Sequence, residues 1–426
     1  MTRLFKNAQI AAAGQRDLSD GDVLVEDGKI VRVGPGIEAP EGAEVIDCTG
    51  KILLPGLFDV HVHLREPGRN DKESIGTGTE AAINGGVTGV VAMPNTTPAI
   101  DSGGLVRSVL DIASKSARIP VHVAGAITKG REGKEMAGIA GMVGAGVRMI
   151  TDDGSPVENP QMLRRAMEYA REFDLIVASH CETMELSGAG SMNEGKVSYK
   201  LGLPGIPAIS EEICIERDIS IARHTGCRLH IQHVTTARGM EIIRNAKNEG
   251  VRVTCEVSPH HLIFNEDHIV EYDTHFKMNP PLRTAADNEA LHQGLREGVF
   301  DVIATDHAPH TEFEKRQLSF GDAPFGITGL ETALPSLFEY FIMPGKLDWG
   351  VLVERYSAEP RKLLQLDSVE IAEGQAAELV VFDPGAKSLF SKEFMCSKAS
   401  NSPFLDQEVA GRVDMVVVGD QELLKR

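Results

Sequence analysis

Residues 57–63 read LFDVHVH, a short apolar run that ends in two histidines. Seven further runs of this kind follow along the chain. Most of them are nearly continuous in Val, Ile and Ala, which is typical of parallel strands buried on both faces. They are TGVVAMPN (88–95), VHVAGAIT (121–128), VRMITDD (147–153), LIVASHCE (175–182), LHIQHVTT (229–236), VRVTCEVSPHH (251–261) and FDVIATDHAPH (300–310).

Helical patterns lie between these runs. Asn159 is placed to cap a helix whose first residue is Pro160, and the run 209–225 predicts another helix with Ser210 as its N-cap. Eight strands with helical crossovers predict an α/β fold, a (β/α)₈ TIM-like barrel over residues 55–364, with its chemistry at the C-terminal ends of the strands. A doubly wound open sheet is the alternative, but no GxGxxG motif follows the first strand.

Both ends of the chain have a different pattern. VLVEDGKIVRVG (23–34) and AEVIDCTGKILLPG (43–56) alternate apolar and polar residues around Asp-Gly and Thr-Gly turns, which predicts two antiparallel hairpins. AELVVFDPGAK (377–387) and GRVDMVVVGDQ (411–421) are strand-like runs cut by Asp-Pro-Gly and Gly-Asp turns. We therefore predict a small β-sandwich domain built from residues 1–54 and 365–426.

The composition excludes several classes of protein. The 426 residues include 43 Lys and Arg against 62 Asp and Glu, a net charge of −19, so nucleic acid is not an expected partner. No apolar stretch approaches the ~20 residues that a membrane span needs. The N-terminal MTRLFKNAQIAAAG is interpreted as strand and not as a targeting segment, because Gln9 interrupts its apolar run. Six cysteines without a CxxC pair indicate reduced thiols in a cytoplasmic protein.

Residues that commonly bind metals recur at one end of the predicted strands. They are His61, His63, Asp152, Asp153, His180, His233 and Asp306. His61 and His63 are two residues apart, so on a strand both imidazoles point to one face and can share an ion. Imidazole and carboxylate ligands without thiolates favour Zn²⁺, with Mn²⁺, Co²⁺ or Fe²⁺ as alternatives. Four His and two Asp, counting only one of Asp152 and Asp153, exceed one tetrahedral site, which predicts two ions bridged by a carboxylate and a hydroxide.

The pattern leaves some of these positions open. Asp152 and Asp153 point to opposite faces of their strand, so one of the two is structural. His233 is a better ligand candidate than His230, because it lies nearer the C-terminal end of its strand. The two histidines at 260–261 end the seventh strand, where they could orient metal ligands.

Seven motifs occur in a fixed order: FDVHVHLREPG, AMPNTTP, TDDG, SHCE, QHVTT, MNPPLR and ATDHAPH. This set resembles the bacterial-type dihydroorotase family of the amidohydrolase superfamily, over essentially the whole chain. The resemblance implies zinc-dependent, reversible interconversion of (S)-dihydroorotate and N-carbamoyl-L-aspartate, the third step of de novo pyrimidine (UMP) biosynthesis. It further implies two Zn²⁺ per subunit, bridged by Asp153 and by a hydroxide that acts as the nucleophile. His61 and His63 match the ligands of the first ion, His180 and His233 match those of the second, and Asp306 matches the last ligand and the catalytic base and acid.

The resemblance also implies a set of substrate contacts. They are His63, Leu64, Arg65, Asn95, Asn279, His310, Pro324 and Phe325. In the family the substrate carboxylate is held by the equivalents of Arg65, Asn95 and His310, and we expect His310 to bind best as an imidazolium. Pro324 and Phe325 match a loop whose backbone closes over the pyrimidine ring, and Asn279 matches a further ring-binding position.

Two related classes of protein are disfavoured by the same residues. Hydantoinases, allantoinases and the other main dihydroorotase type bridge their metals with a carboxylated lysine on the fourth strand, whereas VRMITDDG (147–154) contains no lysine. Some relatives have lost metal ligands and serve only as scaffolds for aspartate transcarbamoylase, whereas this chain keeps every ligand position. The resemblance also points to a homodimer, and it leaves open an association with aspartate transcarbamoylase.

Overall fold

Strands and helices alternate through the middle of the chain, whereas both ends consist almost entirely of strands. The computed structural model describes all residues from Met1 to Arg426. The strands are β1 (Thr2–Ile10), β2 (Ser19–Glu26), β3 (Lys29–Gly34), β4 (Glu44–Asp47), β5 (Ile52–Pro55), β6 (Leu57–Val62), β7 (Val87–Ala92), β8 (Val121–Val123), β9 (Met149–Ile150), β10 (Ile176–Ser179), β11 (Met192–Asn193), β12 (Gly205–Ile206), β13 (Arg228–Ile231), β14 (Val253–Val257), β15 (Val302–Ile303), β16 (Glu378–Leu389), β17 (Glu408–Val418) and β18 (Gln421–Lys425).

The α-helices are α1 (Ile75–Asn84), α2 (Gly103–Ser116), α3 (Ile139–Val143), α4 (Pro160–Arg171), α5 (Met184–Ser187), α6 (Lys196–Leu201), α7 (Ala208–Thr225), α8 (Ala237–Asn248), α9 (Pro259–Ile263), α10 (Ala285–Arg296), α11 (Glu312–Arg316), α12 (Ala333–Leu337), α13 (Trp349–Val353) and α14 (Glu359–Leu363). Two π-helical turns, Phe338–Ile342 and Glu354–Ala358, follow α12 and α13. Among these helices, none combines the length and apolar composition that crossing a bilayer requires.

Eight of the strands are parallel neighbours around a closed barrel. β6, β7 and β8 form a three-stranded sheet, and β9, β10, β13, β14 and β15 form a five-stranded one. Isolated parallel bridges join the two sheets on both sides, between Val62 and His307 and between Gly125 and Ile150. The predicted (β/α)₈ barrel is therefore confirmed, and an open doubly wound sheet is excluded.

The apolar runs in the sequence are longer than the strands they form. The run 251–261 is an example, because β14 ends at Val257 and α9 begins at Pro259. Proline suits the first position of a helix, where its missing N–H needs no partner. The last residues of this run therefore lie in a short helix at the C-terminal end of the barrel.

The N-terminal end of the barrel is closed by the segment that ends α14. Leu363 and Leu364 belong to a cluster of 12 buried apolar residues drawn largely from the barrel strands. Arg148, directly before β9, donates to the Leu364 carbonyl (2.9 Å), and Arg228, the first residue of β13, donates to the Leu363 carbonyl. These hydrogen bonds tie the closing segment to the strand starts.

One of the two predicted helix caps is confirmed. The Asn159 side chain accepts hydrogen bonds from the amides of Gln161 and Met162 at the start of α4. Ser210 is not a cap, because α7 begins two residues earlier, directly after Pro207. The Ser210 hydroxyl instead donates to the Thr183 carbonyl (3.0 Å) and so ties the helix to the connection before it.

Strands from both termini form one eight-stranded sheet in the order β18-β17-β16-β5-β1-β2-β3, with β4 added on β1. A bridge between Lys29 and Ala376 brings β3 near the start of β16, and the sheet surrounds a core of 13 buried apolar residues. Phe382, on the other side of β16, packs against Phe338 and Trp349 of the barrel helices. A sheet domain built from both termini is therefore confirmed, whereas its predicted limits at residues 54 and 365 stay a prediction.

The first predicted hairpin is confirmed and the second is wrong. β2 and β3 pair across Asp27 and Gly28, which both have positive φ (48° and 74°), as a type I′ turn requires. β4 and β5 do not pair with each other, since both run parallel to β1. The turn between β4 and β5 is closed by a hydrogen bond from the Lys51 N–H to the Cys48 carbonyl. After this turn the chain continues in the same direction along β1, so the two strands do not form a hairpin.

The Asp-Pro-Gly sequence at 383–385 does not end a strand. β16 continues through it to Leu389, with a register shift between Asp383 and Lys387 against β17. The segment is thus a bulge, which is a common place for proline and glycine within a sheet. The Gly-Asp turn is confirmed, because Gly419 and Asp420 separate β17 from the antiparallel β18.

Candidate metal centre and substrate cavity

The histidines and aspartates at the strand ends converge at the C-terminal end of the barrel. Six of them form three overlapping groups whose ligand atoms all lie within 4.8 Å of one another. The groups are His61, His233 and Asp306; His61, His63 and Asp153; and Asp153, His180 and His233. All six residues are buried. The structure thus brings together every residue predicted to bind metal.

Asp153 lies between the two pairs of histidines. Its Oδ1 is 3.4 Å from His61 Nε2, 3.7 Å from His180 Nδ1 and 3.9 Å from His233 Nε2. Its Oδ2 is 3.6 Å from His63 Nε2. One carboxylate therefore faces both pairs.

Asp306 approaches the first pair from the end of β15. Its Oδ1 is 2.8 Å from His63 Nε2 and 3.4 Å from His61 Nε2. Burial by itself would raise the pKa of Asp306, but the two imidazoles outweigh it and lower that pKa below its usual value. The carboxyl is therefore held as an anion.

The backbone is left-handed at three of the predicted site residues. Arg65, His233 and Asp306 have φ of 58°, 29° and 46°, which is unusual for residues other than glycine. Such conformations cost on the order of 1–3 kcal/mol each and persist where the surroundings determine them. Their presence at three strand ends agrees with a site whose side-chain directions matter.

Three imidazoles each donate a hydrogen bond away from the cluster. His61 Nδ1 donates to Glu256 (2.6 Å), His63 Nδ1 to Asn95 (2.8 Å) and His180 Nε2 to Glu182 (3.1 Å). Each bond places a proton on the outer nitrogen, so in the neutral ring the lone pair of the inner nitrogen faces the cluster.

The inner nitrogens test whether a metal fits this cluster. His61 Nε2 is buried without a hydrogen-bond partner, and His180 Nδ1 lies only 3.0 Å from His233 Nε2. Lone pairs converging with two carboxylates form a donor set suited to a divalent transition-metal ion. The residues present therefore fit the predicted metal.

The two adjacent aspartates have different surroundings. Asp152 accepts hydrogen bonds from the amides of Ile127 (2.8 Å) and Thr128 (3.1 Å) and from the Thr128 hydroxyl. It thus fixes the loop after β8, whereas Asp153 faces the histidines. This arrangement agrees with the interpretation that one of the pair is structural.

His230 and Glu256 form part of the support for the cluster. His230 Nε2 donates to Glu256 Oε2 (3.0 Å), while Glu256 Oε1 accepts from His61 and from the backbone amide of His233 (3.2 Å). Burial opposes ionisation, but His61 and His230 lower the pKa of Glu256 to about 2. The sequence analysis missed Glu256, although a glutamate inside a buried apolar strand was a usable signal.

Glu182 is a second carboxylate that the pattern missed. Its Oε2 accepts from His180 and from the Asn279 side chain (2.9 Å), so it links a predicted metal ligand to a predicted ring-binding residue. Burial opposes the charge, yet His180 lowers the pKa of Glu182 to about 2. Its spacing of two residues from His180 was the available signal.

A cavity of about 310 Å³ opens over the cluster. Its wall contains six of the predicted substrate contacts: Arg65, Asn95, Asn279, His310, Pro324 and Phe325. His63 also lines the cavity, so seven of the eight predicted substrate contacts lie in its wall. Leu64 is the exception, because its side chain is 2 % exposed and packs in the core beside Gly78 of α1.

The hydrogen bonds of His310 suit a neutral ring. Its Nδ1 accepts from Lys72 Nζ (2.9 Å) and its Nε2 donates to the Phe325 carbonyl (2.7 Å), which satisfies the neutral ring. Burial lowers the pKa of His310 to about 3, and the positive charges of Arg65 and Lys72 act in the same direction. Glu314 opposes this shift, but the surroundings of the free site favour the neutral ring. The expectation that His310 binds substrate best as an imidazolium stays a prediction.

Two cations lie near this wall: Arg65 lines the cavity, and Lys72 lies behind His310. The Arg65 guanidinium donates to the Pro309 carbonyl (3.2 Å) and lies 3.4 Å from His310 Nε2. Lys72 is 7 % exposed and also pairs with Glu314 (2.8 Å). Sequence reasoning missed Lys72, which follows the HVHLREPG motif by four residues.

Known proteins resemble this chain over almost all of its length. The family described as "Dihydro-orotase-like" matches residues 50–238. A dihydroorotase of Geobacter metallireducens is 43 % identical over 405 residues, 95 % of each chain. A dihydroorotase of Carboxydothermus hydrogenoformans is 43 % identical over 432 residues, covering 100 % of this chain and 99 % of the relative.

Solved structures share the fold. The L-hydantoinase (dihydropyrimidinase) from Arthrobacter aurescens superposes with a TM-score of 0.88 at 23 % identity, covering 99 % of this chain and 96 % of that one. A D-hydantoinase (dihydropyrimidinase) from Thermus sp. has a TM-score of 0.83 at 26 % identity, covering 99 % and 95 %. The barrel and its terminal sheet domain therefore recur together in these hydrolases.

Proposed function

Since this chain belongs to the dihydroorotase family of metal-dependent cyclic-amide hydrolases, which acts in pyrimidine biosynthesis, we propose how its own residues interconvert dihydroorotate and N-carbamoyl-L-aspartate. One observation carries the proposal. Two carboxylates, Asp153 and Asp306, lie among four histidines on the floor of a cavity whose wall holds Arg65, with Lys72 behind His310. Such a site offers a catalytic base beside the reacting amide and a cation for the substrate carboxylate.

The finer proposal for the cofactor is two zinc ions per chain. His61 and His63 would hold one ion, His180 and His233 the other, with Asp153 between them and Asp306 as the last ligand. When bound, these ions would supply a water of lowered pKa and polarise the amide carbonyl. The support is the position of Asp153, whose two oxygens face different histidines.

Asp306 is proposed to carry the proton. A cyclic amide reacts very slowly with neutral water, so the nucleophile must lose a proton as its oxygen bonds to the ring carbonyl carbon. Asp306 would accept that proton and deliver it to the ring nitrogen as the carbon–nitrogen bond breaks. Ring closure would run through the same steps in reverse.

Arg65 is proposed to hold the substrate carboxylate. A guanidinium can donate two parallel hydrogen bonds to a carboxylate, whereas an ammonium cannot match that geometry. Asn95 and His310 line the same wall and would complete the contact, His310 through the Nε2–H that donates to the Phe325 carbonyl in this structure. Asn95 already orients His63, so it links the substrate wall to the metal cluster.

Arg65→Lys is expected to raise KM for dihydroorotate about tenfold, because a charged hydrogen bond is lost, and to change kcat little. Steady-state kinetics in both directions would measure the split between KM and kcat. Arg69→Lys is the matched control, because Arg69 lies in the same loop but is exposed and paired with Asp71 (3.0 Å). An unchanged KM in R65K, or an equal rise in both variants, would remove the proposed contact.

A hydantoinase-like amidase is the second candidate, because hydantoinases share the fold. Arg65 at the cavity wall favours an anionic substrate, and a 5-substituted hydantoin lacks the carboxylate that Arg65 would bind. The test compares turnover of dihydroorotate and of 5-substituted hydantoins by zinc-loaded protein. Preferential turnover of dihydroorotate supports the proposal, and preferential turnover of hydantoins contradicts it.

The assembly and location belong to the same proposal. We propose a homodimer in the cytoplasm, and all six cysteines are free, as reduced surroundings would leave them. An association with aspartate transcarbamoylase is the further partner suggested by the resemblance. Turnover by the isolated, zinc-loaded chain would show that no partner is required, whereas copurification without turnover would favour a scaffold.

A further inference from the structure

Lys315 is a lysine buried directly behind the cavity wall. It lies on α11, five residues after His310, and is 2 % exposed. Its Nζ donates to three backbone carbonyls, those of Lys277 (3.2 Å), Pro324 (3.0 Å) and Gly326 (3.0 Å). All three N–H donors of an ammonium are thereby used.

Two of these carbonyls flank Phe325 in the cavity wall. The segment 323–326 is neither helix nor strand, and its backbone amides make only two backbone hydrogen bonds, from Ala323 to Ser319 and from Gly326 to Lys277. It nevertheless approaches His310 closely, since a Cβ added at Gly326 would lie 2.7 Å from His310 Cδ2. The shape of this segment therefore needs contacts from outside it.

Other residues hold neighbouring parts of the same loop. Lys277 Nζ donates to the carbonyls of Phe320 (2.6 Å) and Gly321 (2.9 Å). The Asn401 side chain donates to the Gly326 carbonyl (2.9 Å). Of these three side chains, Lys315 alone reaches the carbonyls on both sides of Phe325.

We propose that Lys315 is a positioning residue that holds the backbone of residues 324–326 in the conformation that receives the substrate ring. This inference rests on the proposed function and on the expectation, implied by the family resemblance, that the backbone of Pro324 and Phe325 closes over the pyrimidine ring. Lys315 lies behind the cavity wall and acts through the Pro324 and Gly326 carbonyls.

The charges around Lys315 agree with this role. Burial lowers its pKa to about 7, with Lys277 and Lys72 acting in the same direction and Asp273 and Glu314 opposing. Three carbonyl acceptors favour the charged amine at a site that otherwise disfavours it. The three hydrogen bonds to backbone carbonyls are the contacts that favour the charged form of Lys315 at this buried position.

Lys315→Met removes the three donors and keeps a long apolar chain in the same space. We expect KM for dihydroorotate to rise about fivefold to tenfold, because unpaired carbonyls let the loop relax. We expect kcat to change by less than about threefold and the metal content to stay the same, because the cluster is untouched. Hydrogen exchange of residues 320–327 should accelerate.

Lys247→Met is the matched control. Lys247 also donates to a backbone carbonyl, that of Val299 (2.6 Å), and pairs with Asp301, but it lies on α8 away from the cavity. K247M should leave KM and the exchange of residues 320–327 as in the wild type.

A folded K315M with wild-type KM overturns the inference, and raised KM with faster loop exchange and preserved kcat supports it. If K315M does not fold, the same criteria apply to K315Q, which keeps two N–H donors. Failure of both variants to fold would indicate a purely structural role and overturn the inference. Wild-type protein without dihydroorotate turnover would instead overturn the proposed function, so the two failures are distinguishable.

Discussion

Asp306→Asn is expected to lower kcat for dihydroorotate at least ~10²-fold, the usual scale for loss of a general acid–base group. An amide cannot accept the proton of the attacking water, and so it cannot return that proton to the ring nitrogen. Metal content should change much less, since His61, His63, His180, His233 and Asp153 remain. The measurements are kcat in both directions and zinc per chain for the same preparation.

Asp152→Asn is the matched control for this prediction. Asp152 is as buried as Asp306, at 3 % exposure, but its carboxylate serves the loop after β8. D152N should lower the free energy of unfolding and keep kcat within about threefold of the wild type. Near-wild-type kcat in D306N would exclude Asp306 as the base. An equal loss of kcat in both variants would point to a general loss of structure.

Glu256→Gln is expected to weaken zinc binding about 10-fold to 100-fold, the usual effect of losing a group that orients a ligand. The Glu256 carboxylate accepts hydrogen bonds from His61 Nδ1 (2.6 Å) and from the backbone amide of His233. A glutamine amide is uncharged and offers N–H donors where His61 already donates. The ring of His61 would turn, or lose the tautomer that aims its lone pair at the cluster. Competition with a chromophoric chelator would measure the affinity without relying on activity.

Glu331→Gln provides the comparison for E256Q. Glu331 is also a buried glutamate, at 2 % exposure, but it accepts from Asn84 and from the backbone amide of Cys396. E331Q should leave the zinc affinity unchanged. Wild-type affinity in E256Q would show that His61 does not need its carboxylate partner. Equal weakening in both variants would show that any buried glutamate has this effect.

The barrel and the cluster were predictable because parallel strands place their C-terminal ends together. Polar residues that follow buried apolar runs must then meet, however far apart they stand in sequence. The position of the strand ends does not predict the role of Glu256, because Glu256 lies inside a strand and not after its end. In the sequence, Glu256 only interrupts an apolar run. The strand ends also do not predict the role of Lys315, whose partners are backbone carbonyls that carry no side-chain signal.

Prediction from the local sequence pattern was wrong where a strand pairs with a partner that is distant in the chain. The Thr-Gly turn at 49–50 predicted a hairpin, but β4 and β5 both pair with β1, which a local pattern cannot reveal. The expectation for His310 concerned the imidazolium that would bind the substrate carboxylate, and it says nothing of the ring in the free site. Burial and the Lys72 ammonium decide its state, and both depend on the folded surroundings.

The central claim is that two metal ions share Asp153 within one cluster. The direct test titrates metal-free protein with Zn²⁺ while recording bound zinc per chain and dihydroorotate turnover. We predict that turnover rises until about two ions are bound per chain. Full turnover at one ion per chain, with no further gain on adding a second, would contradict the account.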